Sequence, residues 1–224
     1  MPSPLNRPIN LTLKTLPLRT ATIVFMHIDF YYDFVSPFSY LAACRVPEFT
    51  NQHEIDIHWK PFLLPQLIKM SGNTPPSSVR RKALYLYHDL NRWAEHLDVP
   101  FKMQNPSFFD ARPALLGAQA LDADDRITFS LAVFKDLWSG NIQPDHPQWL
   151  DKIMADHKLP IGWASPTHPE PLMDALKDNT TTAYRLGAFG APSFFFHHGE
   201  KPELYWGVDR MDFLGRAIDK AKRP

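Results

Sequence analysis

Between Val24 and Phe34 the chain carries β-branched and aromatic residues in partial alternation, and this run stops at Ser36-Pro37, where a helical pattern begins. Phe25, His27, Asp29 and Tyr31 recur at every second position, and the apolar residues between them mark a mostly buried strand. Ser36 offers a side-chain oxygen suited to a helix N-cap. Pro37 suits the first helical position, where no N–H is needed. The spacing predicts a helix from Pro37 to about Gln52 and a second alternating strand from Ile55 to Trp59. A β-α-β opening of this kind commits the chain to an α/β arrangement.

After Pro61 the pattern reads as a loop containing Ser71-Gly72-Asn73 and Pro75-Pro76, then as a long helix from Val79 to Leu97. There Ala83, Leu86, Leu90, Trp93 and Leu97 form one apolar stripe against a charged face. Helical runs from Pro113 to Leu121 and from Arg126 to Trp138 follow, with shorter ones up to about Leu186. The stretch Ser165 to Pro171 is rich in turn residues and reads as a joint within this block. Strands return at Ser193 to Phe196 and Glu203 to Trp206, and a helix is expected from about Asp209 to Lys222. The order describes an α/β sheet split by an all-helical insertion. Residues 23–68 and 187–224 would form the sheet domain and residues 69–186 the insertion.

Composition narrows the function. Lysine plus arginine and aspartate plus glutamate each number 24, and no block of like charge stands out, so neither nucleic acid nor a membrane surface is an expected partner. Apolar stretches are too short for a transmembrane helix. The single cysteine, Cys44, excludes an intramolecular disulfide framework and a cysteine-rich zinc site, which fits a reducing compartment such as the cytoplasm. The first 28 residues lack acids but hold Arg7, Lys14, Arg19 and four prolines, a composition partly like a mitochondrial transit peptide. The prolines spoil an amphipathic helix, so residues 1–22 are expected to be a disordered extension, with mitochondrial targeting as the alternative for a eukaryotic chain.

Four local patterns then converge on one family. Asp29 to Leu41, with Ser36-Pro37-Phe38-Ser39 at its centre, resembles the amino-terminal signature of 2-hydroxychromene-2-carboxylate isomerases and kappa-class glutathione transferases. Ser71-Gly72-Asn73-Thr74-Pro75-Pro76 with Lys82 resembles the start of their insertion domain. Phe189-Gly190-Ala191-Pro192-Ser193-Phe194 is similar to their Gly-x-Pro strand start, and Tyr205 to Met211 to their Gly-x-Asp-Arg helix start. The resemblance implies a DsbA-like thioredoxin domain with an inserted helical domain, glutathione as cofactor, a small aromatic substrate and a homodimer. It further implies a glutathione-dependent cis-trans isomerase that interconverts 2-hydroxychromene-2-carboxylate and trans-o-hydroxybenzylidenepyruvate. A kappa-like transferase conjugating electrophiles and a non-catalytic thioredoxin-like module are the alternatives.

Residue by residue, the resemblance assigns Ser36 to the thiol of glutathione. A free thiol is only a few per cent ionised at neutral pH, and a hydroxyl donor at the positive end of a helix favours the thiolate. Pro192 is expected in cis, presenting the backbone of Ala191 to the cysteinyl unit, while Asp209 would attract the glutamyl ammonium. Val208 stands where the family has a polar residue, so a side-chain hydrogen bond is lost there. Asn73 and Lys82 suit the glycyl carboxylate; on residue type alone the first is a turn residue and the second a solvated cation. Phe34, Phe38, Tyr85, Trp93, Phe108 and Phe109 could wall an aromatic substrate, although such residues are mostly core. Cys44 reads as a small buried apolar residue. His197-His198, placed in a hairpin turn without a third ligand nearby in sequence, is not expected to bind a metal, and Asp56-x-His58 reads as surface alternation.

Overall fold

The computed structural model describes residues 26–103, 109–140, 148–160 and 170–223. The expected tail, the Ser165 to Pro169 part of the joint and Phe108 lie outside them. Two strands, β1 (His27–Tyr32) and β2 (Asp56–Pro61), pair in parallel through α1 (Pro37–His53). β3 (Ser193–His197) and β4 (Glu203–Trp206) add antiparallel to β1, so the mixed sheet runs β2-β1-β3-β4. Between β2 and β3 come α2 (Leu64–Ser71), α3 (Arg80–His96), α4 (Arg112–Ala120), α5 (Ala123–Ser139), α6 (Trp149–Asp156) and α7 (Glu170–Arg185); α8 (Met211–Ala221) closes the chain.

Alternation along β1 sends Ile28, Phe30 and Tyr32 to one face and Tyr31 to the other. The first face meets Phe194 and Phe196 of β3, Tyr40, Leu41 and Val46 of α1, and Leu214 and Ile218 of α8 in one buried core. That core continues without a break into the helical block. Phe134 of α5 is 1% exposed, with ring centroids 5.7 Å from Tyr32 and 4.8 Å from Phe34. Polar seams follow the same line: Tyr32 Oη and Ser130 Oγ are 2.7 Å apart, Trp138 Nε1 donates to the Phe34 carbonyl at 3.1 Å, and Tyr40 Oη donates to the Pro100 carbonyl at 2.6 Å. Arg126 donates from Nε to Ala118, from Nη2 to Leu121 and from Nη1 to Trp59 main-chain oxygens, tying α4 to β2.

The second face holds a smaller cluster, in which Tyr31 and Phe195 pack with Phe62, Leu67 of α2 and Ala183 of α7. Three expectations change here. α2 runs from Leu64 to Ser71, so a domain boundary between residues 68 and 69 falls inside a helix; the stretch read as loop is helical because Leu64 and Leu67 bury against the sheet. α7 was assigned to the insertion, yet it covers the sheet: Thr180 Oγ1 accepts from the Leu63 N–H at 2.9 Å and Asn179 Nδ2 donates to the Pro61 carbonyl at 2.9 Å. α5 also begins three residues before Arg126, at Ala123, because Asp122 caps it by accepting from the Asp125 N–H at 3.0 Å.

Phe134→Ala should cost about 3–5 kcal/mol, since it removes a ring from a core that cannot collapse around the gap. Urea unfolding followed by tryptophan fluorescence measures this, and a loss below about 1 kcal/mol would show that the two blocks do not share a core.

Candidate active site

Four residues, Asp33 to Ser36, join β1 to α1, and Asp33, Phe34 and Ser36 are each held by a group distant in sequence. Ser36 is the N-cap of α1: its Oγ accepts from the Ser39 N–H at 3.1 Å. The same hydroxyl donates to the Ala191 carbonyl at 3.3 Å, and the residue is only 5% exposed. The hydroxyl thus stands at the positive end of a 17-residue helix with its proton shared by a main-chain oxygen. The peptide bond between Ala191 and Pro192 is cis.

The segment Phe189 to Pro192 is where the expected site residues converge. Asn73, just past the end of α2, donates from Nδ2 to the Phe189 carbonyl at 2.9 Å, while its Oδ1 accepts from the Thr74 N–H at 2.8 Å. The Gly207 N–H donates to the Pro192 carbonyl at 3.1 Å. Gly207 has φ +101°, and a Cβ there would lie 2.5 Å from Asp209 Oδ1, so the carboxylate folds back over the glycine beside this loop. Gly190 has equal need to be bare, because a Cβ would sit 2.7 Å from Trp206 Nε1. Asp209 is half exposed and pairs with Arg210 at 2.6 Å.

Two expected residues stand apart. Val208 is 1% exposed and belongs to the main core, so its side chain faces away from any ligand; its carbonyl is taken by Arg45 Nη1 at 3.0 Å. An apolar side chain at this position fits that burial. Lys82 is exposed on the first turn of α3 and has no ion-pair partner among the described residues. Of the aromatic wall candidates, Phe34 is core, Phe38, Trp93 and Phe109 pack partly buried against it, and Tyr85 is exposed. Cys44 is inert as a thiol, since burial pushes its pKa up to about 11.

Asp33 is the residue that sequence reasoning passed over. It is 1% exposed, accepting from the Val35 N–H at 3.1 Å and from the Leu64 N–H at 2.9 Å. The carboxylate therefore joins the Ser36 loop to the start of α2, the helix that delivers Asn73. Burial raises its pKa from the usual carboxylate range to about 6, and the main-chain donors offset part of that rise. An acidic residue between two aromatics at a strand end was the available signal.

This set of hydrogen-bonding groups suits a thiol peptide: a hydroxyl donor at a helix N-terminus for sulfur, the Ala191 carbonyl to accept from a main-chain N–H, and the Asp209 carboxylate for an ammonium. Lys82, without an ion-pair partner among the described residues, offers a cation for a carboxylate. By contrast, a cleft of about 480 Å³ between α4 and α7 contains none of these residues. Its Arg112 and Lys177 are already paired with Asp110 and Asp174.

Comparison with known proteins bears on the chain as a whole. The family model of the DSBA-like thioredoxin domain matches residues 27–219. A 2-hydroxychromene-2-carboxylate isomerase of Sphingobium xenophagum is 32% identical over 193 residues, which cover 84% of this chain and 95% of that protein. The glutathione S-transferase kappa 1 of Homo sapiens is 26% identical over 207 residues, covering 85% and 90%. Among solved structures, a 2-hydroxychromene-2-carboxylate isomerase superposes with a TM-score of 0.74 at 25% identity, over 86% of this chain and 94% of the other.

The raised Asp33 pKa makes stability depend on pH in a known direction. The folded state holds this proton more tightly than the unfolded chain does. The contribution is therefore complete below the ordinary carboxylate pKa and is lost as pH rises through about 6. Urea midpoints of the natural chain and Asp33→Asn, compared from pH 4 to 7, should diverge in slope over that interval, and parallel profiles would refute the assignment.

Proposed function

This chain belongs to the family of 2-hydroxychromene-2-carboxylate isomerases and kappa-class glutathione transferases on the DSBA-like thioredoxin fold, and on that premise we propose that it is a glutathione-dependent cis-trans isomerase of 2-hydroxychromene-2-carboxylate in aromatic-compound degradation. The observation that carries the proposal is the Ser36 hydroxyl, fixed at the α1 N-terminus and bonded across to Ala191. Bound glutathione would supply a thiolate that adds to the conjugated carbon of the substrate, frees rotation about the former double bond, and leaves as the alkene re-forms.

The chain's own residues would divide the remaining work. Ser36 Oγ keeps the Ser39 N–H as donor and turns its proton from the Ala191 carbonyl toward sulfur. The N–H groups left free in the first turn of α1 add to the field that favours the anion. That turn releases the Ala191 carbonyl to accept the main-chain N–H of the cysteinyl unit. Asp209 holds the glutamyl ammonium. Asn73 and Lys82 hold the glycyl carboxylate, with Asn73 keeping its bond to Phe189. Val208 contributes main chain alone. The low exposure of Ser36 keeps bulk water from competing for the sulfur.

Identity to kappa-class transferases over most of the chain favours one second reading, conjugation of electrophiles by the same thiolate. The two separate in a direct assay. Glutathione and the chromene acid are mixed with the enzyme and product absorbance is followed, beside conjugation of a standard electrophile. Isomerisation that requires glutathione and exceeds conjugation is the expected result; the reverse ratio makes the chain a transferase, and a flat calorimetric titration with glutathione makes it a binding module of another kind.

Ser36→Ala should cost roughly 1 kcal/mol of capping while lowering turnover about a hundredfold, the range for loss of one hydrogen-bond donor to a reacting anion. Steady-state kinetics and urea unfolding of the same variant measure both, and unchanged turnover would remove Ser36 from the mechanism.

A further inference from the structure

The open end of the sheet gathers residues that lie far apart in the chain. In the β1–β3 register His27 stands opposite His197, and in the β1–β2 register Asp29 stands opposite His58. Residues directly opposite share a face, as do residues two apart on one strand, so all four side chains emerge on the same side. His197 is the last residue of β3 rather than part of the hairpin turn, which is why the sequence hides this neighbourhood.

We propose that His27, Asp29 and His197 bind a divalent cation of the zinc type, with His58 holding the second oxygen of the Asp29 carboxylate. One ligand atom from each of the three lies within 4.8 Å of the others. His197 Nε2 and Asp29 Oδ2 are 3.3 Å apart. Tetrahedral zinc with bonds of about 2.0–2.1 Å spaces its ligand atoms roughly 3.4 Å from one another, so only small side-chain movements are needed. The His27 and His197 rings are stacked, 4.3 Å between centroids and 7° from parallel, so one ring must tilt for both to direct a nitrogen at the same ion.

Three further observations support a cation here. The Asp29 side chain is only 13% exposed, and among the described residues its ion-pair partners are imidazoles alone, without a lysine or arginine. His197 Nε2 is shielded from solvent and has no hydrogen-bond partner among the described residues, its approach to Asp29 being too poorly aligned for one. His58 Nδ1 lies 3.3 Å from Asp29 Oδ1, the arrangement in which an outer histidine orients a ligating carboxylate. Two imidazoles and one carboxylate select zinc, copper or nickel over magnesium and calcium, which require more oxygen ligands. The site joins the two central strands, β1 and β3, directly and reaches β2 through His58, at the opposite end of β1 from Ser36, so its role is to clip that end of the sheet.

The test uses the full untagged chain, freed of metal with EDTA and titrated with zinc chloride by calorimetry, with magnesium chloride as control. One equivalent of zinc is expected to bind and to raise the thermal unfolding midpoint. His27→Ala and His197→Ala should each weaken binding about a hundredfold and His58→Ala about tenfold, the range for ligands and their outer partners. Asp29→Asn keeps the side-chain shape and guards against alanine variants that fail to fold; it too should lose zinc. Absence of stoichiometric binding, or zinc held as tightly by Asp29→Asn and His197→Ala as by the natural chain, overturns the site.

Discussion

One hydroxyl group does two jobs at the centre of this molecule. Ser36 Oγ accepts a main-chain N–H to start α1 and donates to the Ala191 carbonyl, a residue 155 positions away. The first bond decides where the strand becomes a helix; the second pins the loop that leads into β3. Around this pair the rest is arranged: Asn73 reaches Phe189, Gly207 reaches Pro192, and the Asp33 carboxylate ties the Ser36 loop to α2. A side chain that met only the cap would have left the carboxy-terminal half unattached to the helix end that matters.

Much of the fold was legible because its signals are local. Alternation marked β1, β2, β3 and β4, and Ser-Pro marked the start of α1. What escaped notice was helix α2, since eight residues beginning Leu64-Pro65 have neither a side-chain cap nor a long periodic stripe. Its helicity is imposed from outside, by Leu67 against the sheet and by Asp33 accepting from Leu64. The placement of α7 escaped for a related reason: amphipathic periodicity reports that a helix has a buried face but not which surface it meets.

At the site the balance is similar. Ser36, Asn73, Ala191, Pro192 and Asp209 lie around one loop, whereas Lys82 stands exposed on α3 and Val208 turns inward. The sequence cannot show that Val208 lies under the start of α8, because burial depends on Arg45 and α1 crossing from far away. The His27–Asp29–His197 group was invisible for the same reason. Its members come from two strands, with His58 from a third, and no spacing rule links residues 29 and 197.

The aromatic core shared by the sheet and the inserted helices carries its own consequence. Phe134 wedged against Tyr32 and Phe34, and the Trp138 indole bound to the Phe34 carbonyl, leave no seam along which the two halves could swing apart. Any opening between the sheet and α5 would first have to break this packing. A substitution deep in α5 is felt at Phe34, two residues before the serine that caps α1, so the interior of the helical block and the shape of that loop are not separately adjustable in this architecture.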